Sequence, residues 1–243
     1  MARSEPEPFD FQPGRVLAGK YVVAEFLGGG WEGEAYLVHE RTTGFPRVAK
    51  FYYPERNEKG KSLKEYVKRL EKLSDLGCVI RYMHSDSIRF RGEKLDFMVS
   101  TRAPGKQLSY YIKKRGNRLH PLEALLIVEQ IAAGLEAIHA QGMYHGDVHE
   151  DNVMVRRTGI HYDVRFLDFL HLGPTTVKRK REDVFDMLML LRDMTGGKTR
   201  YARQPELIKR LVKGGKRSLV LKEFPTALRV RQFLAGRDAP DFI

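Results

Sequence analysis

The chain reads His-Gly-Asp-Val-His-Glu-Asp-Asn over residues 145–152, and a second acid, Asp168, is followed by Phe169. Each stretch comes directly after a short hydrophobic run, at residues 142–144 and 164–167. An Asp and an Asn five residues apart on a loop, with a later Asp at a strand end, can hold a phosphate-bound Mg²⁺ and orient an attacking hydroxyl. The spacing therefore indicates a phosphoryl-transfer site.

The length and composition allow one large domain or two lobes. The chain has 243 residues, of which 42% are hydrophobic, so it can bury a sizeable core. Residues 1–13 carry Pro, Glu and Ser with little periodicity, which predicts a disordered tail rather than a signal peptide, and the domain is expected over residues 14–243. The most apolar stretch, residues 124–135, is too short to span a bilayer. The lone Cys78 fits a reducing cytoplasm.

The net charge of +12 favours anionic partners such as a nucleotide, an acidic or phosphorylated substrate, or nucleic acid. The signal is unspecific, because Lys and Arg are spread along the whole chain. The densest basic run, residues 178–181, is interpreted either as a solvated loop or as a loop that contacts substrate. A DNA-binding module would rest on charge alone, so it is the weakest interpretation.

Hydrophobic patterns predict five strands and one helix in the first third of the chain, followed by a mostly helical remainder. The predicted strands lie at residues 21–27, 34–39, 47–53, 80–90 and 95–100, and the predicted helices at residues 62–76, 108–114, 121–140, 182–194, 204–212 and 226–234. An Ala-Pro-Gly interruption predicts a hinge at residues 101–107, between an N-lobe, residues 14–100, and a C-lobe, residues 108–243. The predicted class is α+β.

A glycine cluster, Gly28, Gly29, Gly30 and Gly33, separates the first two predicted strands, so it should form a hairpin loop. Without a Cβ, such a loop lets backbone N–H groups approach phosphate oxygens closely. The strand that follows argues against the dinucleotide-binding version of this pattern, which requires a helix at this point. A flexible hairpin without a ligand is the alternative.

Lys50 closes the third predicted strand, where a buried ammonium group needs an anionic partner. Phosphate oxygens would serve, with a carboxylate from the next helix holding the ammonium group in place. The candidates are Glu65 and Glu71, but the hydrophobic pattern places the expected position at Tyr66. Glu65, one residue away, is the predicted partner, and a surface role for either Glu is the alternative.

Residues 14–235 resemble a protein-kinase domain of the serine/threonine kind found in bacteria. The resemblance rests on residues 14–21, the glycine cluster, and residues 48–50, 138–142, 168–169, 183–185 and 195–196, in the family's order and with family-like spacing. It implies a bilobal protein-kinase-like fold, with a five-stranded antiparallel N-lobe that carries one helix and a mostly helical C-lobe. It also implies ATP and Mg²⁺ as cofactors.

The resemblance implies catalytic roles by position. Asp147 would accept or orient the proton of the attacking hydroxyl, and Asn152 and Asp168 would hold Mg²⁺. Lys50 would bind the α- and β-phosphates of ATP.

The same resemblance implies an adenine site. Ser100 would occupy the gatekeeper position, and the backbone from Thr101 to Ala103 would contact adenine. Ala35 and Val48 would pack on the two faces of the base.

The catalytic loop departs from the family pattern, because it reads His-Gly-Asp-Val-His where His-Arg-Asp-Leu-Lys is usual. Gly146 removes the Arg that normally pairs with a phosphorylated activation loop, so this switch should be absent. His149 completes a pattern similar to that of aminoglycoside phosphotransferases, and it would contact the γ-phosphate as a titratable group. His145 and Asp183 are expected to brace the loop.

The segment after Asp168 also departs from the family. Leu170 replaces the Gly of the usual Asp-Phe-Gly, which should stiffen the segment. Only 14 residues separate Asp168 from Asp183, and they contain no Ala-Pro-Glu motif. The activation segment is therefore predicted to be shortened, and residues 178–181 within it would meet an acidic or phosphorylated substrate. The interval 108–147 leaves no room for the helical insert of the aminoglycoside enzymes.

These observations predict an ATP-dependent phosphotransferase, an atypical serine/threonine protein kinase that transfers the γ-phosphate to a hydroxyl. A kinase for a small molecule, a sugar or a lipopolysaccharide-type acceptor is the second interpretation, and a non-catalytic nucleotide-binding pseudokinase scaffold is the third. Besides ATP, the expected partner is an acidic or phosphorylated protein substrate, and nucleic acid is not expected. The chain is expected to be a cytoplasmic monomer without a membrane span.

Overall fold

The structure, a computed structural model, describes residues 6–170 and 173–236. The chain forms two compact units. The first, the N-lobe, comprises the chain up to residue 74 together with residues 80–102, and the second, the C-lobe, comprises residues 75–79 and the chain from residue 103 onward.

Residues 75–79 belong to the C-lobe, although the predicted N-lobe boundaries include them. Val79 forms a parallel bridge with Phe166, and the backbone N–H of Phe166 donates to the carbonyl oxygen of Cys78 at 2.8 Å. This backbone pairing between distant segments has no signature in the local sequence, so the prediction assigned the segment to the wrong unit.

A six-stranded antiparallel sheet forms most of the N-lobe. Its strands are Val16–Leu17 (β1), Tyr21–Gly29 (β2), Gly33–Glu40 (β3), Pro46–Tyr52 (β4), Tyr82–Phe90 (β5) and Glu93–Thr101 (β6), and its α-helix is Lys61–Lys72 (α1). The order across the sheet is β1-β2-β3-β4-β6-β5, with antiparallel neighbours throughout. The five predicted strands are confirmed, and the two-residue β1 adds a short sixth strand at the edge.

The side chains of the sheet alternate between two faces, because successive residues of a strand point to opposite sides. The register pairs Ala35 with Lys50 and Val48 with Ser100, so these four residues share one face. The opposite face carries the buried aromatic core of the N-lobe, with Tyr36, Phe51 and Phe97. The predicted nucleotide-binding side chains therefore stand on one face, and the core lies behind the other.

The N-terminal strap, residues 6–13, packs against this aromatic core. Phe9 and Phe11 are 6% and 3% exposed, and their ring centroids lie 5.6 Å apart. The backbone N–H of Phe9 donates to Glu34 Oε1 at 3.1 Å, and that of Phe11 to Tyr36 Oη at 3.3 Å. The prediction of a disordered tail is therefore wrong for residues 6–13, because two alternating aromatic side chains bury a large apolar area. Residues 1–5 lie outside the described residues.

The C-lobe is mainly helical and carries one small sheet. Its helices are Leu108–Lys113 (α2), Pro121–Ala140 (α3), Val177–Met194 (α4), Gly197–Arg200 (α5), Glu206–Val212 (α6), Arg217–Glu223 (α7) and Ala227–Ala235 (α8). The sheet contains Lys106–Gln107 (β7), Val153–Thr158 (β8) and His161–Phe166 (β9), in that order. The apolar α3 packs against α4, α8 and β9 and forms the centre of the lobe. Within residues 6–170 and 173–236, no helix is long and apolar enough to cross a membrane.

Helix α4 begins earlier than the sequence predicts. The hydroxyl of Thr176 accepts the backbone N–H of Arg179 at 3.2 Å, which caps the helix at its first residue, Val177. The basic run at residues 178–181 therefore forms the first turn of α4, and the prediction of a loop is wrong at these positions. The shortened activation segment ends at Thr176, seven residues before Asp183.

Candidate active site

Asp183 holds the backbone of the catalytic loop, residues 145–152. Its side chain is fully buried in α4 and accepts the backbone N–H groups of His145 at 2.8 Å and Gly146 at 2.7 Å. The Nε2 atom of His139 in α3 lies 2.8 Å from the same carboxylate. A buried carboxylate requires such donors, so the loop, α3 and α4 meet at this side chain.

The ring of His145 connects the catalytic loop to the end of β9. Its Nδ1 accepts the backbone N–H of Asp147 at 3.2 Å, so the neutral ring carries its proton on Nε2, which donates to the carbonyl oxygen of Leu167 at 2.8 Å. Burial lowers the pKa of His145 below its ordinary value, which favours the neutral ring. Phe169 packs against the ring, with centroids 4.6 Å apart. His145 and Asp183 thus make the kind of bracing contacts that the sequence predicts.

Gly146 adopts a left-handed backbone conformation, with φ +89°. A Cβ at this position would lie 2.9 Å from the carbonyl oxygen of Leu170 and 2.9 Å from the ring of Tyr144. An Arg at position 146 would therefore be strained in its backbone and obstructed at its Cβ. The local packing gives a physical reason for the missing Arg of the family pattern.

Asp147, His149 and Asn152 form one polar cluster on the catalytic loop. Asn152 Nδ2 donates to Asp147 Oδ2 and to the carbonyl oxygen of Asp147, each at 3.0 Å. His149 Nε2 lies 3.3 Å from Asp147 Oδ2 and 2.9 Å from Asn152 Nδ2. The Asp147 side chain is 46% exposed, so its carboxylate is held through Oδ2 and remains accessible to a substrate.

Asn152 and Asp168 lie at the same end of the β8–β9 hairpin. Val153 pairs with Phe166, and beyond this pair the backbone N–H of Leu167 donates to the carbonyl oxygen of Asn152 at 2.9 Å. Asp168 follows directly, with a left-handed φ of +48°. This conformation is uncommon outside glycine, and Asp is among the residues that adopt it, often at functional sites. The hairpin end thus carries an amide and a carboxylate, which are hard oxygen ligands of the type that Mg²⁺ prefers.

In the N-lobe, Lys50 contacts Glu32, and the predicted pair with Glu65 is wrong. Lys50 Nζ lies 3.4 Å from Oε2 of Glu32, which precedes β3, and 4.9 Å from the centroid of the Tyr66 ring. Glu65 pairs instead with Lys68 on α1, at 3.5 Å. Successive helix residues are rotated by about 100°, so the residue beside Tyr66 cannot share its side of the helix.

The glycine cluster forms the turn between β2 and β3. The backbone N–H of Gly30 donates to the carbonyl oxygen of Gly33 at 2.9 Å. A Cβ on Gly33 would lie 1.8 Å from the carbonyl oxygen of Phe51, so only glycine permits this approach of β3 to β4. A Cβ on Gly28 or Gly30 would meet open space. Gly33 therefore has a packing role, and phosphate contacts at Gly28, Gly29, Gly30 and Gly33 remain predictions.

The predicted adenine residues fall in both units. Ala35, Val48 and Ser100 share one face of the N-lobe sheet, and Ser100 is buried with its Oγ 3.3 Å from the carbonyl oxygen of Thr101. Thr101 ends β6, whereas Ala103 belongs to the C-lobe and is buried there. Their contacts with adenine remain predictions.

A cavity of 270 Å³ lies beside the catalytic loop in the C-lobe. It is lined by Asp147, Val148, His149, Glu150, Asp186, Met189, Leu190 and Asp193. Burial, with smaller contributions from the nearby acids Asp183 and Glu182, raises the pKa of Asp186 to about 6. Within the described ranges of the chain, no hydrogen bond or ion pair reaches the Asp186 carboxylate.

Asp186 and Glu32 are among the residues of these sites that the sequence-based predictions do not include. The sequence feature that could have pointed to Asp186 is an acid three residues after Asp183 in an otherwise apolar helix pattern. The signal for Glu32 is an acid inside a glycine cluster that is expected to meet phosphates. Both signals are ambiguous without knowledge of which side chains face inward.

Comparison with known proteins identifies the family. The protein kinase domain family matches residues 21–213. The chain belongs to this family. Serine/threonine-protein kinase PkaA of Streptomyces coelicolor is 30% identical over 170 residues, which cover 64% of this chain and 30% of PkaA. Serine/threonine-protein kinase PrkC of Bacillus subtilis is 26% identical over 162 residues, which cover 64% of this chain and 23% of PrkC.

The crystal structure of a double mutant of the PknI kinase domain from Mycobacterium tuberculosis shares the fold. It matches with a TM-score of 0.65 and 19% sequence identity, over 93% of this chain and 96% of that chain. The predicted protein-kinase-like fold of the bacterial serine/threonine type is therefore confirmed, and so is the predicted membership of the protein kinase family. Members of this family generally use ATP and Mg²⁺. This protein kinase domain spans less than a third of the length of the two curated relatives.

Proposed function

We propose that the protein transfers the γ-phosphate of Mg-ATP to a Ser or Thr hydroxyl of a protein. The observation that carries the proposal is the arrangement of Asp147, Asn152 and Asp168 around a catalytic loop that Asp183 braces. Family membership supports the same activity. A non-catalytic scaffold would not require this set of side chains, so the arrangement favours an active enzyme.

In the C-lobe, Asp147 would orient the attacking hydroxyl and accept its proton. Its Oδ2 accepts a hydrogen bond from Asn152, which leaves Oδ1 for the substrate hydroxyl. Asn152 and Asp168 would hold Mg²⁺, since an amide and a carboxylate oxygen suit a metal that also binds nucleotide phosphates. The metal, when bound, would neutralise charge that develops on the phosphates. His149, beside Asp147, would contact the γ-phosphate.

In the N-lobe, Lys50 and the glycine cluster would bind the phosphates, and the sheet face around Lys50 would bind adenine. The proposed nucleotide contacts are backbone N–H groups of Gly28, Gly29, Gly30 and Gly33, the side chains of Ala35, Val48 and Ser100, and the backbone of Thr101 and Ala103. The proposal is supported by the common face of Ala35, Val48, Lys50 and Ser100 in the sheet register. Glu65 is omitted from this set, because it pairs with Lys68.

We propose an acidic or phosphorylated acceptor, on the basis of the first turn of α4. Four cations occupy residues 178–181, where the positive end of the helix dipole disfavours cations, so helix stability does not explain them. Arg179 Nη1 donates to Tyr144 Oη and Lys180 Nζ donates to the carbonyl oxygen of His139, each at 2.6 Å. Lys178 and Arg181 are exposed, and they are therefore the proposed acceptor contacts.

The acids that line the cavity beside Asp147 also bear on the charge of the acceptor. Glu150, Asp186 and Asp193 line this cavity, and like charges would repel an acidic acceptor at that point. Residues 178–181 precede Asp186 on α4 by one to two helical turns, which is about 8–12 Å by helix rise. Peptides of both charges therefore belong in the acceptor assay.

We also propose that the enzyme is active without phosphorylation of its activation segment. Gly146 offers no cation to a phosphate, and its backbone leaves no room for one. The backbone N–H of Leu170 donates to the carbonyl oxygen of His145 at 3.0 Å, and Tyr144 Oη donates to the carbonyl oxygen of Gly173 at 3.0 Å. These contacts hold the described parts of the segment without a phosphate.

A cytoplasmic monomer is the proposed state of the protein. The ATP requirement and the free thiol of Cys78 support a reducing, ATP-rich compartment. Sedimentation of the purified chain at micromolar concentration tests the monomer, and a concentration-dependent dimer would contradict it.

The test of the proposed function is incubation with radiolabelled ATP, first of the protein alone and then with the protein and small-molecule fractions of a cell extract. The wild type is expected to label a protein. Asp147→Asn should lower kcat by about 10²–10⁴-fold with nearly unchanged Mg-ATP affinity, because it removes only the hydroxyl-orienting group. Asp168→Asn should lower both kcat and the affinity for Mg-ATP, because it removes a proposed Mg²⁺ ligand. Asp163→Asn makes a change of the same type on β9 and is the matched control. It should alter neither kcat nor the affinity for Mg-ATP.

The distribution of the label separates the interpretations. Label only in the small-molecule fraction would favour the second interpretation, a small-molecule kinase. Mg-ATP binding without transfer to any fraction would favour the nucleotide-binding scaffold. No binding of millimolar Mg-ATP, measured as an absent rise in melting temperature, would contradict the proposal altogether.

A further inference from the structure

Lys50 lies largely out of contact with solvent in the N-lobe. Its side chain is 14% exposed, and a lysine withdrawn from water to this degree requires an anionic or aromatic environment. Glu32 provides a carboxylate at 3.4 Å, while the rings of Tyr66 and Tyr52 have their centroids 4.9 and 5.6 Å from Nζ. The Lys50 ammonium group therefore stands between a carboxylate and two aromatic faces.

The backbone of Glu32 is fixed by the sheet. Its carbonyl oxygen accepts the backbone N–H of Tyr53 at 2.9 Å. The next residue, Gly33, pairs with Tyr52 and approaches Phe51 more closely than any other residue type could. Glu32 is therefore attached to the end of β4, close to Lys50, and does not depend on the tip of the glycine cluster for its position.

Helix α1 presents an aromatic residue, and not an acid, toward Lys50. Tyr66 occupies the facing position, with its ring in cation–π contact with Nζ. Glu65 pairs with Lys68, and Glu71 is exposed. Within the described helix α1, neither Glu therefore contacts Lys50.

We infer that Glu32 is the positioning residue for Lys50, in place of a carboxylate from α1. The inference rests on the proposed function, because Lys50 must bind ATP for its position to matter. An ammonium group has three N–H donors, and the bond to Glu32 uses one of them. Because Glu32 belongs to the β2–β3 hairpin, the carboxylate that pairs with Lys50 does not depend on the position of α1, which contributes only the ring of Tyr66.

The test compares Glu32→Gln with a rescue variant that carries Glu32→Gln and Tyr66→Glu together. Glu32→Gln keeps the side-chain size and removes the charge, so kcat/KM for ATP is expected to fall by about 10–100-fold, since a charged hydrogen bond is lost. The Kd of Mg-ATP, measured by calorimetry without acceptor, should rise. The added Tyr66→Glu places a carboxylate opposite Lys50 and should recover about tenfold of the lost kcat/KM.

Glu65→Gln is the matched control, and it should change kcat/KM and Kd by less than about twofold, because Glu65 is a surface residue. Melting temperatures of all variants report whether each is folded. An unchanged or lower Kd for Mg-ATP in Glu32→Gln would mean that Glu32 is dispensable or competes with phosphate, and would overturn the inference. A loss that Tyr66→Glu does not recover would overturn it as well. If the wild type binds no Mg-ATP, the proposed function itself fails.

Discussion

The catalytic loop of the C-lobe and the surroundings of Lys50 in the N-lobe both hold a polar group in position, but the side chains that hold it differ in burial. Asp183 is fully buried and accepts two backbone N–H groups. Glu32 is 36% exposed and makes an ion pair with Lys50 at 3.4 Å. Asp183 and His145 match the family pattern, and Gly146, which departs from it, contributes only a backbone N–H. Glu32 lies outside the family pattern.

The difference follows from the free energy of leaving a polar group without a partner. Loss of the Asp183 carboxylate would leave buried backbone donors unsatisfied, which costs about 1–3 kcal/mol for each group. A partly exposed carboxylate such as that of Glu32 can be replaced more freely, because water takes over part of its lost interaction. Buried networks therefore restrict residue identity, whereas partly exposed ion pairs can be supplied from different positions in the chain.

The largest expected effect is that of Asp183→Asn. The amide keeps one acceptor oxygen and loses the other, so one buried donor near the catalytic loop is left unsatisfied. We expect a loss of about 3–4 kcal/mol in the free energy of unfolding, measured by urea denaturation. Asp193→Asn, on the same helix with a side chain that is 49% exposed, is the control and should stay within about 0.5 kcal/mol of wild type. Equal effects of the two variants would remove the basis of the comparison.

A second prediction concerns the N-terminal strap. Phe9→Ala removes a ring that packs on Phe11, Phe51 and Tyr53. We expect a loss of about 2–3 kcal/mol in the free energy of unfolding, at or below the usual range for a core Phe because the strap can detach. Phe45→Ala, at a site where Phe45 is 58% exposed, should cost less than about 1 kcal/mol. An unchanged unfolding midpoint in Phe9→Ala would show that the strap is not packed in solution.

Asp186→Asn has the smallest expected effect. Unlike the other two substitutions, it should raise the free energy of unfolding. Asp186 lies one helical turn from Asp183, and burial raises its pKa from 3.8 to about 6. A raised folded-state pKa means that the contribution of this group to stability is fully present below pH 3.8 and is lost as the pH rises through 6. Asn carries no charge, so the variant should be more stable than wild type by about 1–2 kcal/mol at pH 7.

The pH dependence of this gain is its control. Near pH 4 the Asp186 carboxyl is protonated in the folded chain and about half protonated in the unfolded chain, so most of the difference between Asp186→Asn and wild type should disappear. Unfolding free energies at pH 7 and pH 4 give the comparison. A destabilised variant at pH 7 would assign Asp186 a partner of the kind that Asp183 has.

Several features of the site could be predicted from the sequence because they are local and chemically restricted. Asp147 and Asn152 lie on one loop, and their spacing suits phosphoryl transfer. The strand that carries Lys50 follows from a short hydrophobic run between turns. The bounds of α3 follow from its helical period and its initial proline. The strap was not predictable in this way, since Phe9 and Phe11 gain their order from residues of β3 and β4 far along the chain.

The sequence by itself determined the kinase-like fold, the catalytic loop and the identity of Lys50 as the predicted phosphate-binding lysine. Only the tertiary structure decided which carboxylate contacts Lys50, which acids line the cavity beside Asp147, and where α4 begins. The physical reason is that phosphoryl transfer and buried hydrogen bonds restrict residue type at fixed spacing. The partner of a side chain depends instead on helix rotation and strand register, where a shift of one residue moves a Glu away from Lys50 and brings Tyr66 in its place.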